Sequence, residues 1–558
     1  MFRHRQLKLL TGVLVFTAFM TSVLFASPDF WSSKPDNEIL NYLMSEMDDE
    51  QLLAQLMLLG YMGGSPSDEI MDWITEKEIG GVKIFGWNVG TLSSLAESVS
   101  VMQHESQKTE FKIPLFIVTD QEGGWVRHIH SGTSETSGNM SLAASRLPAD
   151  SYKTGYYIGM ELRALGINMN FAPTVDVYSN AEAHVIGPRA FSDDPQLTAL
   201  LSTAYFKGMD NAGIICTAKH YPGHGDADKD SHGALPIIEA DMETLWNRDL
   251  LPYRYLVNEN IPAIMSGHLA FPGITGDETP ASLSPLLLTE ILRKQIGFEG
   301  LVVTDDLMMN GVQLLPMNTA EICKAAIMAG NDIILVSRTP EIHEKVWDYL
   351  SAELRLDSDF KTRVRESALR VLKTKISYLR DETSVPMYPS PEETSVLIPD
   401  EEGSAFFLDQ AYRSTTVIRS SGEDGLVPEG KILLAGQLDR FFRIGKQEFP
   451  DADEFKFGYT PFYTSSKSVS RRLADRADDY DTIIYCLANP NSAEVLEALK
   501  NTRADVIVLS VLTPVYLRQM DWVENAVAVY GTSEDSFSAG FAALGGRLKP
   551  SGSLPIKF

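Results

Sequence analysis

Residues 219–232 read KHYPGHGDADKDSH. Three histidines, three aspartates and three glycine or proline residues share this short stretch. An apolar run, GIICT at 213–217, leads into it, so a buried strand ends where a polar loop begins. Strand ends are rigid and the loops after them are free to vary, which is where α/β proteins build active sites. Within the loop, Asp230-Ser231-His232 sets a carboxylate two residues from an imidazole. A histidine carries a proton near neutral pH without any pKa shift. An aspartate beside it orients the ring and raises its basicity.

Other polar residues close apolar runs in the same way. Asp120 ends PLFIVTD and is followed by Gln121, Glu122, Gly123 and Gly124. Asp176 ends 168–176, Lys219 and His220 end 213–220, and His268 ends 262–268. Asp305 ends GLVVTD, with Asp306 next. One aspartate at a strand end is an ordinary helix N-cap, but five polar strand ends in one chain exceed what capping needs. A ring of Asp, Lys, His and Arg without a tight ligand cluster suits a substrate rich in hydroxyls. Glycoside hydrolysis needs two titratable groups on opposite sides of the bond. Asp305, flanked by cationic candidates that favour its charged form, reads as the nucleophile. His232, paired with Asp230, reads as the proton donor. In an alternative mechanism a substituent of the substrate itself attacks, assisted by two neighbouring carboxylates. Asp305 and Asp306 offer such a pair only superficially, because consecutive strand residues point to opposite faces. A metal reading uses His220, His224 and His232 with Asp226, Asp228 and Asp230. However, His220-x-x-x-His224 spans a proline and a glycine and so is not helical. DADKD lacks the glycine and distal glutamate of a calcium loop. Neither a metal nor a cofactor is expected.

The elements that must position these residues alternate. From about residue 36 to 380, short apolar runs alternate with amphipathic stretches. Eight candidate strands lie at 52–60, 81–86, 114–120, 168–176, 213–220, 262–268, 300–305 and 332–337. They are continuously apolar, as in a parallel sheet buried on both faces. Eight βα units predict an α/β fold of the (β/α)8 TIM-barrel type, in which all the polar strand ends converge on one face. A doubly wound open sheet shares the local pattern. The first run, LLAQLMLLG, also reads as a helix tail. Residues 381–402 are rich in proline, serine and acid and read as a linker that buries little. Beyond it, runs at 431–434, 482–486, 506–509 and 526–530 predict a smaller α/β/α sandwich domain over 403–558.

The whole chain has 558 residues, 44% of them hydrophobic and 22% charged, which is globular composition. Its net charge of −27 would repel a phosphate backbone and argues against nucleic acid as a partner. Cys216, Cys323 and Cys486 are far apart in apolar surroundings and read as buried thiols. Arg3, His4, Arg5 and Lys8 precede an apolar run over 9–26, which reads as a signal peptide or an uncleaved membrane anchor. The expectation is an exported protein: periplasmic, secreted or held on the outer face of the cytoplasmic membrane.

At these residues the chain resembles the family 3 glycoside hydrolases, and among them the bacterial β-N-acetylglucosaminidases. The resemblance runs from about Met47 to Arg380. It is carried by DQEGG at 120–124, GINMNFAPTVDV at 166–177, IGPRAFSDDP at 186–195, KHYPGHGDADKDSH at 219–232 and VVTDDLMM at 302–309. It implies a retaining double displacement with Asp305 as nucleophile and His232, paired with Asp230, as acid/base. It also implies that Asp120, Arg189, Lys219, His220 and Asp176 hold the sugar. GSLPIKF at 552–558 resembles the end of the sandwich domain of many members. The family often carries Arg where this chain has Trp125 and His128, and Arg127 falls one residue early. The substrate implied is terminal β-linked N-acetylglucosamine on peptidoglycan fragments or chitin oligomers. The alternatives are a β-glucosidase, a phosphorylase of the same family, or a non-catalytic sugar-binding protein of the cell envelope.

Overall fold

The computed structural model describes residues 29–130, 132–227, 230–337, 339–422, 425–458 and 466–558. The basic and apolar N-terminal segment lies outside them. Eight strands form the first sheet: β1 Met57–Gly60, β2 Gly81–Lys83, β3 Phe116–Thr119, β4 Met169–Asn170, β5 Ile215–Tyr221, β6 Ala263–Ser266, β7 Leu301–Thr304 and β8 Ile334–Val336. The spatial order is β8-β1-β2-β3-β4-β5-β6-β7, and every pairing is parallel. A parallel bridge between Val303 and Ile333 joins the two ends, so the sheet is a nearly closed barrel rather than an open doubly wound one. All strand residues are buried, as continuous apolar runs require.

The first candidate strand divides. Its front half belongs to the helix Asp49–Ala54, and only its rear half is β1. Asp48 and Gln51 form a capping box that starts the helix and outweighs the strand-like composition of the run. At the seam of the barrel, Asp332 is fully buried and binds three elements. It accepts the amide of Val302 (3.0 Å), Ser367 Oγ (3.0 Å) and the guanidinium groups of Arg293, Arg363 (3.0 Å) and Arg370 (3.2 Å).

Residues 381–402 do connect the two sheets, but they are packed rather than loose. Val385, Thr394 and Ile398 are buried. The helix Pro391–Leu397 lies on the helix Leu92–Ser106, where Ser93 Oγ donates to Pro391 O (2.9 Å). Arg163 donates to the carbonyls of Thr383 (2.7 Å) and Ser384 (2.9 Å). Average composition hid these few apolar anchors.

The second sheet has six strands: β9 Thr416–Arg419, β10 Ile432–Gly436, β11 Asp453–Lys456, β12 Thr482–Leu487, β13 Asp505–Ser510 and β14 Asn525–Ala528. Its order is β9-β14-β13-β12-β10-β11, parallel except for β9 against β14. Alternate residues feed two apolar layers. Leu433, Ile483, Tyr485 and Val508 enter one, and Leu434, Ile484, Cys486 and Leu509 enter the other. That two-sided burial makes the domain an α/β/α sandwich.

Candidate active site

Asp120 follows β3 directly. Its Oδ1 is 2.5 Å from Lys219 Nζ and its Oδ2 is 2.7 Å from Lys83 Nζ. Lys219 also reaches Glu122 Oε1 at 2.6 Å. Glu122 stands on a small hairpin, Gln121–Gly123 with Val126–Arg127, and holds Arg189 in a two-point fork at 2.8 and 2.9 Å. Arg189 comes from the single turn Gly187–Arg189 after β4. Its Nη2 donates to His220 Nε2 at 3.3 Å, which fixes Nε2 as an acceptor and Nδ1 as the protonated nitrogen. Nδ1 then donates to Asp176 Oδ2 at 2.8 Å. Asp176 accepts the amides of His220 (3.1 Å) and His224 (2.7 Å) as well. Val175, bonded to Lys219 O at 2.8 Å, puts Asp176 beside β5.

Lys219 and His220 are consecutive, yet both join this network. The β5/β6 register shifts between Ala218 and Tyr221, and this irregularity suspends the usual alternation of faces. Thus Asp120, Arg189, Lys219, His220 and Asp176 form one connected constellation at the C-terminal mouth of the barrel. Sequence reasoning quoted Glu122 without assigning it a place, and it missed Lys83. The available signal for Lys83 was a lone lysine in a strand apolar on both faces.

Burial pushes the carboxyls of this network up, but their hydrogen-bond donors and cationic neighbours overcome it. Lys219 and Lys83 hold Asp120 well below the usual carboxylate range. Burial likewise opposes Glu122, yet Arg189 and Lys219 bring it to about 2. Asp176 is also brought to about 2 against its burial, by His220 and the His224 amide. Burial pulls Lys83 down despite Asp120. Lys219, buried too, is raised by Asp120 and Glu122.

Asp305 follows β7 and is half-buried. Its amide donates to Ser266 O (2.9 Å), and its Oδ1 accepts the Asp306 amide (2.8 Å). Burial raises its pKa, but His220, His268 and that amide hold it below the ordinary 3.8. Asp306 turns away from the pocket. Its carboxylate accepts Ser337 Oγ and the amides of Met308 (3.0 Å) and Ser337 (3.2 Å), and burial raises its pKa. His268 is fully buried and tied to Ser282 Oγ (2.8 Å) and Asp306 O (3.0 Å), so it packs beneath Asp305.

Asp230 and His232 stand at the rim, on the loop after β5. His232 Nδ1 is 2.7 Å from Asp230 Oδ1, and the His232 amide donates to the same oxygen (2.9 Å). The imidazole is 70% exposed, leaving Nε2 open. The hydrogen bond to Asp230 raises its pKa above 6.5, and the charge of Asp305 adds to the rise. Ser231 O accepts the amide of Gly311, which follows β7, at 2.9 Å. This bond fastens the His232 loop to the loop of Asp305. Among the candidate metal donors, Asp228 lies outside the described residues. His220 is spent on Asp176 and Arg189, whereas His232 engages Asp230 through Nδ1 alone. Arg127 turns from the pocket and pairs with Glu135.

These loops can anchor a polyol, hold an anionic nucleophile and offer a proton at the rim. The same part of the chain is similar to known proteins. The model of the glycosyl hydrolase family 3 N-terminal domain matches residues 48–374. Beta-hexosaminidase A of Pseudoalteromonas piscicida is 36% identical over 284 residues, covering 48% of this chain and 47% of that protein, about half its length. A beta-hexosaminidase of Thiobacillus denitrificans is 32% identical over 324 residues, covering 56% and 85%. The solved family 3 beta-N-acetylglucosaminidase of Paenibacillus sp. strain FPU-7 superimposes with a TM-score of 0.81 at 28% identity, over 92% of this chain and 99% of that one. Since the family match takes in every barrel strand and the loops that build the pocket, the chain belongs to glycosyl hydrolase family 3.

Proposed function

We propose that this protein is a retaining, exo-acting β-N-acetylglucosaminidase that removes terminal β-linked N-acetylglucosamine. The observation that carries the reading is the Asp230–His232 pair fastened beside an ionised Asp305. Asp305 attacks the anomeric carbon while His232 Nε2–H protonates the departing oxygen, forming a glycosyl-enzyme on Asp305. Water then attacks that carbon, returns its proton to His232 and frees Asp305. Asp120, Lys219, Arg189, His220 and Asp176 orient the sugar through its hydroxyls. Relatives named beta-hexosaminidase support the N-acetylated sugar.

Turnover of an aryl N-acetyl-β-glucosaminide far above the aryl glucoside is expected, and the reverse preference defeats the reading. A 2-fluoro sugar is expected to label Asp305. A reactive site without that label points to the acetamido-assisted route. Phosphorolysis is the competing outcome of the second step, because a histidine that has given up its proton repels an anionic acceptor less than a carboxylate would. Product analysis with and without phosphate decides it: sugar 1-phosphate would establish phosphorolysis, and its absence leaves hydrolysis. The N-terminal basic and apolar run supports export, where peptidoglycan fragments or chitin oligomers are met. Mass spectrometry of products from a muropeptide and a chitin oligomer, side by side, ranks the two.

A further inference from the structure

Exposed apolar side chains are common on proteins and need no explanation singly. Trp87 differs because it is exposed yet fixed. It follows β2 on the same barrel face as the pocket, and 49% of its surface is open. Its Nε1 donates to Tyr61 O at 2.9 Å, so the indole has no unpaired donor. Its ring stacks on Phe85 with centroids 4.3 Å apart and planes 9° from parallel. Phe85 in turn lies under the Lys83 ammonium, 4.7 Å from its centroid. Lys83 is one of the two lysines that hold Asp120. A rigid aromatic stack therefore runs from the charged pocket to the rim and ends in an open indole face.

We infer that Trp87, backed by Phe85, is the stacking ledge for the second sugar of the substrate, the one that departs with the cleaved oxygen. The inference rests on the reading of the pocket as an N-acetylglucosamine site. The occupant follows from chemistry. A β-linked pyranose carries its substituents around the ring edge and presents C–H groups on its two faces. Such a face gains most from a flat apolar surface that is already ordered, because no side-chain freedom is lost on binding. A pocket that encloses one sugar leaves the next at the rim. The loops after β1 and β7 add exposed Met62 and Leu314 to that rim.

The test compares kcat/KM for triacetylchitotriose, whose leaving group is a sugar, with kcat/KM for N-acetyl-β-glucosaminyl fluoride, whose leaving group has no ring. Trp87→Ala is expected to lower the ratio of the two about tenfold, the scale of one aromatic contact. Trp87→Phe should restore most of it. A ratio removes any loss of folded enzyme. If the ratio stays at the wild-type value, or both constants fall alike, Trp87 is no ledge. Wild-type enzyme that turns over neither compound would instead overturn the sugar reading and this inference with it.

Discussion

As the proposed acid, His232 can donate a proton only while it is an imidazolium, and the Asp230 carboxylate 2.7 Å away favours that form. A raised histidine pKa keeps the acid form present to higher pH, so activity is lost only as pH climbs past 6.5. Asp305, the proposed nucleophile, is held below 3.8 and is expected to set the acid limb beneath that value. Asp230→Asn is therefore expected to move the alkaline limb of kcat/KM to lower pH. A pH profile that keeps its alkaline limb would remove Asp230 from this role. Asp305 was legible because it ends an apolar run, and Asp230 and His232 because two positions separate a carboxylate from an imidazole on the loop. Glu122 was not, because its place depends on Arg189, 67 residues away. The neighbouring Asp305 and Asp306 were separable in advance by strand alternation. Lys219 and His220 defied that rule because the ladder is irregular there.

At the scale of elements, Asp332 locks the barrel seam. It joins β7 through Val302 and the long helix Ser358–Leu379 through Arg363, Ser367 and Arg370. Asp332→Ala leaves three guanidinium groups facing a void and is expected to cost about 3–5 kcal/mol, read as a lower urea midpoint. A shift worth under about 1 kcal/mol would mean that the arginines find other partners. Burial raises the Asp332 pKa, but Arg293, Arg363 and Arg370 hold it below 3.8. The stabilisation is therefore complete above the unfolded carboxyl pKa and fades as pH falls through the folded one. The barrel strands were legible as apolar runs. The edge strands β9 and β11 were not, since each pairs on one side only and carries polar residues such as Asp453, Glu454 and Lys456.

Across the whole molecule, the sandwich domain is docked on the barrel by a mixed interface. Arg413 forks onto Asp150 at 2.8 and 3.2 Å, and Arg440 reaches Glu135 at 2.6 and 3.1 Å. Glu135 also holds Arg127, so the hairpin that presents Glu122 is braced by the second domain. The last residues thread back to the barrel. Ser553 donates to Ala144 O (2.9 Å) and Lys557 to Asp193 (2.7 Å), while Ile556 is buried with Met140, Tyr178 and Tyr530. Ile556→Ala is expected to cost about 2–4 kcal/mol, lowering the thermal midpoint while the second domain stays folded. An unchanged midpoint would show that the tail adds nothing to docking.

Local order was written along the chain: apolar runs, turn-rich loops and the polar residues that end strands. Each of these depends on neighbours a few positions away, so periodicity and composition carry it. The partnerships that make the pocket are of another kind. Lys219 meets Asp120 across 99 residues, and Glu135 meets Arg440 across 305. Such pairs exist only once the barrel closes and the second domain docks, because burial then removes water as the competing partner and makes every charge choose a countercharge. The chain alone therefore determined which groups could do chemistry. Tertiary closure decided which face each other, which are ionised, and which merely hold the others in place.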